Sequence, residues 1–273
     1  MSQDKGPILT ATGLSKSFGE KKILNQVTFT LAPGRIVALI GANGAGKTTI
    51  MKALLGLITL DDGSIQIDSV NISMVSHRSL RNVGAMIEYP SIYPFLTGRQ
   101  QLALFASGPN RQSHIQRIIE ALEMTPYIDK AAKSYSLGMK QKLGIAQALV
   151  NQPKLVILDE PMNGLNPQAI KLLRDLVQQQ AKAGTSFLIS SHILSELDKL
   201  ADDVLILDQG TIIRTGTLAA ITANQDCCYR VKTSDDSRAY KLLSAQQIRI
   251  TKAVPLTFEA PSPERLTDAI RAI

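Results

Sequence analysis

Short apolar runs alternate with helix-spaced patterns over residues 8–216 of the chain. The runs Val27–Leu31, Ile36–Ile40, Leu155–Leu158, Phe187–Ile189 and Val204–Leu207 have the length of buried strands. Between them, Met139, Leu143, Ala146 and Val150 recur at i, i+4, i+7 and i+11 on one helix face. Ile170, Leu173 and Val177 share a face in the same way, with Asn166 placed as N-cap, Pro167 at the first helical position and Gly184 just past the end. This alternation predicts a mainly parallel sheet covered by helices. Asp62-Gly63 and Gln209-Gly210 read as two-residue turns, each followed by a short alternating strand. The chain shows no internal repeat, charge block or heptad run.

After Gly216 the texture changes. One or two helical turns over 217–223, a strand around Tyr229, a helix over Ser237–Gln247, strands near 248–259 and a last helix from Pro263 make a small α+β appendage. The organisation predicted is a main domain over 1–223 and an accessory segment over 224–273.

Composition excludes several classes. Of 273 residues, 44% are apolar and 19% charged, with 18 Gly and 12 Pro, which is no disordered or collagenous chain. The two cysteines, Cys227 and Cys228, are adjacent and make neither a disulfide framework nor a four-ligand zinc site. No apolar window approaches the ~18 residues of a spanning helix, and Met1–Leu14 lacks the apolar core of a signal peptide. A soluble protein in a reducing compartment is expected. The net charge of +7 permits an anionic partner, but the basic residues are dispersed and only six Phe and six Tyr could stack on bases, so no nucleic-acid role is expected.

Ile36–Ile40 runs into Gly41-Ala42-Asn43-Gly44-Ala45-Gly46-Lys47-Thr48-Thr49, which fits G-x-x-x-x-G-K-[ST] between a strand and a helix. Glycines let backbone N–H groups turn inward around phosphate oxygens, and the helix opening at Gly46 adds its N-terminal dipole. Lys47 supplies a point charge for the β- and γ-phosphates, and the Thr48 hydroxyl suits Mg2+. The acidic counterpart is Asp159-Glu160, emerging from the apolar strand Leu155–Leu158, at the strand end where α/β sheets bind ligands. Asp159 is placed to hold Mg2+ through water, and Glu160 to polarise the water attacking the γ-phosphate.

Tyr135-Ser136-Leu137-Gly138-Met139-Lys140-Gln141 opens a helix 23 residues before Asp159, counted from Ser136. Alone, Ser136 is a helix N-cap whose first turn exposes free N–H groups. In order with the other motifs, this segment resembles the signature of ATP-binding cassette (ABC) ATPases, keeping Ser136 and Gly138 of the usual Ser-Gly-Gly-Gln core. Phe18, before Gly19, stands where that family commonly stacks an aromatic on adenine; the other reading is a core Phe. Asn163-Gly164-Leu165-Asn166-Pro167 resembles the family's D-loop, with Asn166 in place of the commoner Asp. His192, 32 residues past Glu160, resembles the switch histidine that senses the γ-phosphate.

The resemblance spans about residues 8–216. It implies an α/β P-loop NTPase of ABC type: a mainly parallel core, an antiparallel β subdomain and a helical subdomain at about 90–152. It implies ATP and Mg2+ as cofactors, and a homodimer of cassettes in which each ATP lies between one P-loop and the partner's Ser136–Gly138. It also implies separate permease subunits, so that the chain meets the cytoplasmic face of the membrane only through them. Chromosome-organising relatives insert coiled coils between P-loop and signature, whereas here 88 residues separate Lys47 from Ser136 without heptads.

Val83–Pro90 carries Glu88 where most cassettes have the Q-loop glutamine. With Ser190–Leu197, this looks like the bacitracin-resistance and lantibiotic self-immunity ATPases of Gram-positive bacteria; drift in a generic exporter is the alternative. A glutamate adds a third carboxylate near Mg2+ and the γ-phosphate, which favours either metal contact or a raised carboxyl pKa.

Overall fold

The structure, a computed structural model, describes residues 6–72, 78–193, 197–217, 220–221, 227–230, 236–245, 250–252 and 257–260. The chain divides into two units, Met1–Leu218 and Ala219–Ile273. That break lies five residues before the boundary at 223 read from the sequence.

The first unit opens with β1 (Leu9–Phe18), β2 (Lys21–Leu31) and β3 (Ile36–Ile40), followed by α1 (Lys47–Leu54), β4 (Asp62–Ile67), β5 (Val70–Asn71) and β6 (Val83–Met86). Three helices follow, α2 (Gly98–Phe105), α3 (Arg111–Ala121) and α4 (Leu137–Leu149). The unit closes with β7 (Leu155–Leu158), α5 (Pro167–Lys182), β8 (Ser186–Ser191), β9 (Asp203–Asp208) and β10 (Thr211–Thr217).

Six strands form the core sheet in the order β10-β9-β3-β8-β7-β6. All neighbours are parallel except β9 and β10, as the alternation of runs and helices predicts. The register sets Ile40 beside Ser191, and Leu158 beside both Ile189 and Met86. The residues that leave β3, β8, β7 and β6 therefore emerge along one sheet edge. Gln209-Gly210 is the two-residue hairpin between β9 and β10, with φ of 44° and 77°, the left-handed pair that matches the strand twist.

A second, antiparallel sheet has the order β2-β1-β4-β5. Val27–Leu31 lies here, as the end of an eleven-residue strand, not in the parallel core. Asp62-Gly63 also differs from its reading as a turn: it is the first pair of β4, facing the bulged stretch of β1 between Thr12 and Ser15. β1 itself is hidden in the sequence because that bulge breaks the alternation.

The helical region meets the core through α4. Its Gln141, Leu143, Gly144, Ile145, Ala146, Ala148 and Leu149 are all buried, so burial extends well beyond the single face read from periodicity. Tyr135 anchors its start: the hydroxyl donates to the Tyr127 carbonyl at 2.9 Å and accepts from the Gly98 amide at 3.3 Å, and the two rings meet edge-to-face at 5.0 Å. α5 begins as predicted, its Asn166 side chain accepting from the Ala169 amide at 2.8 Å with Pro167 in the first turn. Among the described residues no helix is long and apolar enough to cross a membrane.

In the second unit, β11 (Cys227–Arg230), β12 (Ile250–Lys252) and β13 (Thr257–Ala260) form a sheet of order β11-β13-β12, and the described residues also include the helix α6 (Asp236–Ala245). Strand and helix positions follow the sequence reading to within a few residues. Ala220 and Ile221 are helical, and the helix expected from Pro263 lies outside the described residues.

Gly84 tests the joint between β6 and α4. A methyl group there would sit 1.8 Å from the Ala148 carbonyl oxygen, a clash with backbone that no rotamer relieves. Overpacking of this kind costs about 1–3 kcal/mol or more. Gly84→Ala should lower the melting temperature by several degrees, read by circular dichroism; an unchanged melting curve would show that the two elements are less tightly seated.

Candidate active site

β3 delivers Gly41 to the sheet edge, and the loop from Gly41 to Gly46 leads into α1. Neighbouring backbone hems the loop in. A Cβ on Gly41 would meet the Leu207 carbonyl oxygen at 2.5 Å, which only hydrogen there avoids. The Gly210 amide, from the β9–β10 hairpin, donates to the Ala45 carbonyl at 3.0 Å, and the Asn25 amide of β2 donates to the Gly210 carbonyl at 2.8 Å. A distant turn thus supports the far side of the loop.

Lys47, at the start of α1, is only 6% exposed. Its ammonium donates to the Gly41 carbonyl at 2.7 Å and lies 3.3 Å from Glu160 Oε1. A buried charge needs such partners. Thr48 Oγ1 donates to Asp159 Oδ2 at 2.6 Å, while Ser190 Oγ donates to Asp159 Oδ1 at 2.6 Å and accepts from the Glu160 amide at 2.8 Å. His192 Nδ1 lies 2.9 Å from Glu160 Oε2. Glu160 has φ of 47°, a left-handed conformation uncommon for a residue with a side chain. The Glu160 and Pro161 carbonyls both accept from Gln141 Nε2 of α4, at 3.4 and 3.2 Å.

Phe18, Asn43, Gly44, Gly46, Lys47, Thr48, Thr49 and Glu160 line one open groove of about 330 Å3, together with Lys21 and Ile23. Ala45 supports it from beneath, its methyl packed toward Gly41. Phe18 is 53% exposed, so it is no core residue; its strand end is tied down by Asp61, which accepts from the Ser17 amide at 2.6 Å and from Lys16 at 3.2 Å. These two bonds hold the Asp61 carboxyl below its ordinary pKa.

Two sequence-read groups lie apart from this groove. Ser136 caps α4, accepting from the Met139 amide at 3.3 Å, and lines a separate cavity of about 440 Å3 with Gly138, Gly164 and Asn166. Leu137 leans over Gly164, where a methyl group would come within 2.7 Å of it. Glu88, two residues beyond β6 with φ of 59°, is held by Lys52 of α1, whose ammonium donates to Oε1 at 2.6 Å. Its partner is this lysine rather than Thr48 or Asp159.

Ser190, Gln141 and Lys52 are the residues that sequence reasoning left out of the site. Gln141 and Ser190 stand inside segments that carry the resemblance, but nothing local gives any of the three a part in the site. A serine ending an apolar strand and a glutamine inside an otherwise apolar helix are the faint signals available.

The residues present fit a bound Mg-nucleotide. A glycine loop that neighbouring backbone packs too closely for a Cβ at Gly41, a nearly dry ammonium beside it, and a hydroxyl–carboxylate pair of hard oxygen donors are what phosphates and Mg2+ require. Ser190 holds the Asp159 carboxylate and the Glu160 backbone in place from behind. Ser190→Ala leaves Asp159 Oδ1 and the Glu160 amide short of a partner, a loss of about 1–3 kcal/mol. Chemical denaturation should show it; a change below about 0.5 kcal/mol would mean that water replaces the hydroxyl freely.

The ABC transporter family profile matches residues 24–163. The chain is 36% identical over 261 residues to YcbN of Bacillus subtilis (strain 168), described as an uncharacterized ABC transporter ATP-binding protein, covering 90% of this chain and 85% of that one. It is 36% identical over 239 residues to the bacitracin transport ATP-binding protein BcrA of Bacillus licheniformis, covering 86% and 78%. With the lantibiotic transport ATP-binding protein SrtF of Streptococcus pyogenes it shares 41% identity over 207 residues, covering 76% and 89%. A solved ATP-binding subunit of an ABC transporter matches with a TM-score of 0.72 at 32% identity, over 78% of this chain and 91% of that one. A phosphate loop and an acidic strand end meeting on one sheet edge, within that length of shared sequence and fold, make this chain a member of the ABC transporter ATP-binding family, an ABC-type ATPase.

Proposed function

We propose that the chain is the ATP-hydrolysing subunit of an exporter that removes a bacitracin- or lantibiotic-type peptide antibiotic through separate permease subunits. The likeness to BcrA and SrtF over more than three quarters of the chain carries this reading, and Glu88 in place of the usual glutamine accords with it. An exporter of another cargo is the second reading, favoured by an equal identity to YcbN, whose description names no cargo.

The residues divide the chemistry as follows. Lys47 exchanges Glu160 and the Gly41 carbonyl for β- and γ-phosphate oxygens. Thr48 and Asp159 would hold Mg2+, which would supply positive charge against the charge developing on the transferred phosphoryl group. Glu160, released from Lys47, accepts a proton from water as its oxygen bonds to the γ-phosphorus, and the bond to the ADP oxygen breaks with its electron pair. His192 steadies Glu160 through Oε2. Phe18 stacks on adenine.

The separation of the groove at Lys47 from the cavity at Ser136 and Gly138 supports a composite site, each nucleotide closed over by the signature turn of a second copy. Tyr89 and Phe95 are more than 80% exposed and Tyr93 is 60% exposed. Tyr89 rims a groove of about 430 Å3 lined by Met86, Pro90 and Phe105. Exposed apolar surface of this kind suits a protein partner, and we assign it to the permease at the cytoplasmic membrane face of a Gram-positive cell.

Glu160→Gln should bind Mg-ATP yet lose about 10²- to 10⁴-fold in hydrolysis rate, whereas Lys47→Ala should weaken nucleotide binding itself. Full turnover by the first, or unchanged affinity in the second, refutes the respective role. Cells expressing the chain with its permease should resist bacitracin or a lantibiotic in growth-inhibition assays. Glu88→Gln should keep most ATPase activity in the isolated subunit while reducing protection. An active parent that protects against none of these peptides overturns the cargo reading.

A further inference from the structure

Glu88 stands two residues past β6, whose Met86 carbonyl accepts the Asp159 amide at 2.8 Å. The chain segment bearing Glu88 is therefore tied to the start of the catalytic carboxylate pair. Facing it is α1, on which Thr48 and Lys52 lie four residues apart, on one helix face. Thr48 reaches Asp159, at 2.6 Å, and Lys52 reaches Glu88, also at 2.6 Å. Two oxygen–donor pairs thus bridge the same two walls, one turn apart: a neutral hydroxyl where the metal is to bind, and an ammonium beyond it.

The charge logic follows from the glutamate at position 88. A glutamine at 88 is neutral and needs no counter-ion. The register sets Met86 beside Leu158, so Glu88 and Glu160 both stand two residues past adjacent strand ends, and a third carboxylate added at this edge, near a site built for a hard divalent cation, would draw such a cation even without nucleotide. Lys52, one-third exposed, and Glu88, about half exposed, have water available to both. Their pairing is accordingly weak and reversible.

We propose that Lys52 is a positioning residue that holds Glu88 on α1, away from the Thr48–Asp159 metal position. The nucleotide-free subunit then binds divalent cations poorly, and the ion enters with the phosphates. The inference rests on the reading of Thr48 and Asp159 as the metal site. It does not depend on which cargo the transporter carries, because the test uses the isolated subunit.

The test is Mn2+ binding to the nucleotide-free protein, followed by electron paramagnetic resonance of the free ion. Lys52→Met should tighten Mn2+ binding about two- to fivefold, the range that an exposed ion pair can contribute. Removing a positive charge would by itself tighten cation binding, so the same substitution is repeated in the Glu88→Gln background. If Lys52 acts by holding Glu88, the gain shrinks there to what the lost charge alone contributes; an equal gain in both backgrounds, or none in either, overturns the proposal. Lys52→Arg should behave as the parent, and the exchange Lys52→Glu with Glu88→Lys should return binding to the parental level. Thermal melting of each variant checks the fold, and should Lys52→Met not fold, Lys52→Gln compared in the parental and Glu88→Gln backgrounds gives the same decision. Failure of the metal-site reading has its own signature: Asp159→Asn would then leave Mn2+ binding unchanged with ATP present.

Discussion

A lysine ammonium held almost out of water is the constraint on which the rest of the site depends. Lys47 must have acceptors within reach, because an unpaired buried charge costs several kcal/mol. Before any phosphate arrives it has the Gly41 carbonyl and the Glu160 carboxylate. For these to meet, the ends of β3 and β7 must lie on the same edge of the sheet with one strand between them. Parallel pairing of β3, β8 and β7 provides this, and Ser190 at the end of β8 fills the gap by bonding both Asp159 and Glu160. Under the proposed function, phosphate oxygens would replace the acceptors that keep Lys47 paired, so stability and binding would compete for the same ammonium.

The loop around that ammonium is rigid for reasons outside the loop. Its glycines leave it bare, and backbone from β2, β9 and the hairpin at Gly210 packs against the bare side. Donors fixed in advance lose little on binding an anion, which is what a preorganised electrostatic site requires. Glu160 and Glu88 extend the pattern: both leave parallel strands in a left-handed backbone conformation, and both carboxylates are caught by lysines of α1. One short helix therefore carries the hydroxyl and both cations that organise the acidic side.

The helical region adds the other half of the picture. Tyr135 fastens the start of α4, Gln141 ties α4 to the backbone after Glu160, and Gly84 lets α4 approach β6 closely. The Ser136–Gly138 turn is thereby placed beside Gly164 rather than over its own phosphate loop. α4 thus touches the backbone of Glu160 through a hydrogen bond and packs on β6, the strand that leads to Glu88.

Much of this was legible in the chain itself. The phosphate loop, the capped start of α5, the Gln209-Gly210 hairpin and the buried parallel strands are written in residues a few positions apart, because dihedral preferences, capping and strand burial are local. Val27–Leu31 and Asp62-Gly63 misled for the complementary reason: an apolar run and a turn-like pair look alike in either kind of sheet, and β1 lost its alternation to a bulge. Ser190 between the Asp159 carboxylate and the Glu160 amide, Gln141 beneath Glu160, and Lys52 on Glu88 join residues 19 to 36 positions apart. Only strand register and helix placement bring such pairs within 3.5 Å, and no spacing rule along the chain records them. The sequence alone determined which chemistry is available and the local shape that holds each group. The tertiary structure decided which charge neutralises which, since ion pairs and hydrogen bonds depend on distances in space that only the assembled sheet sets.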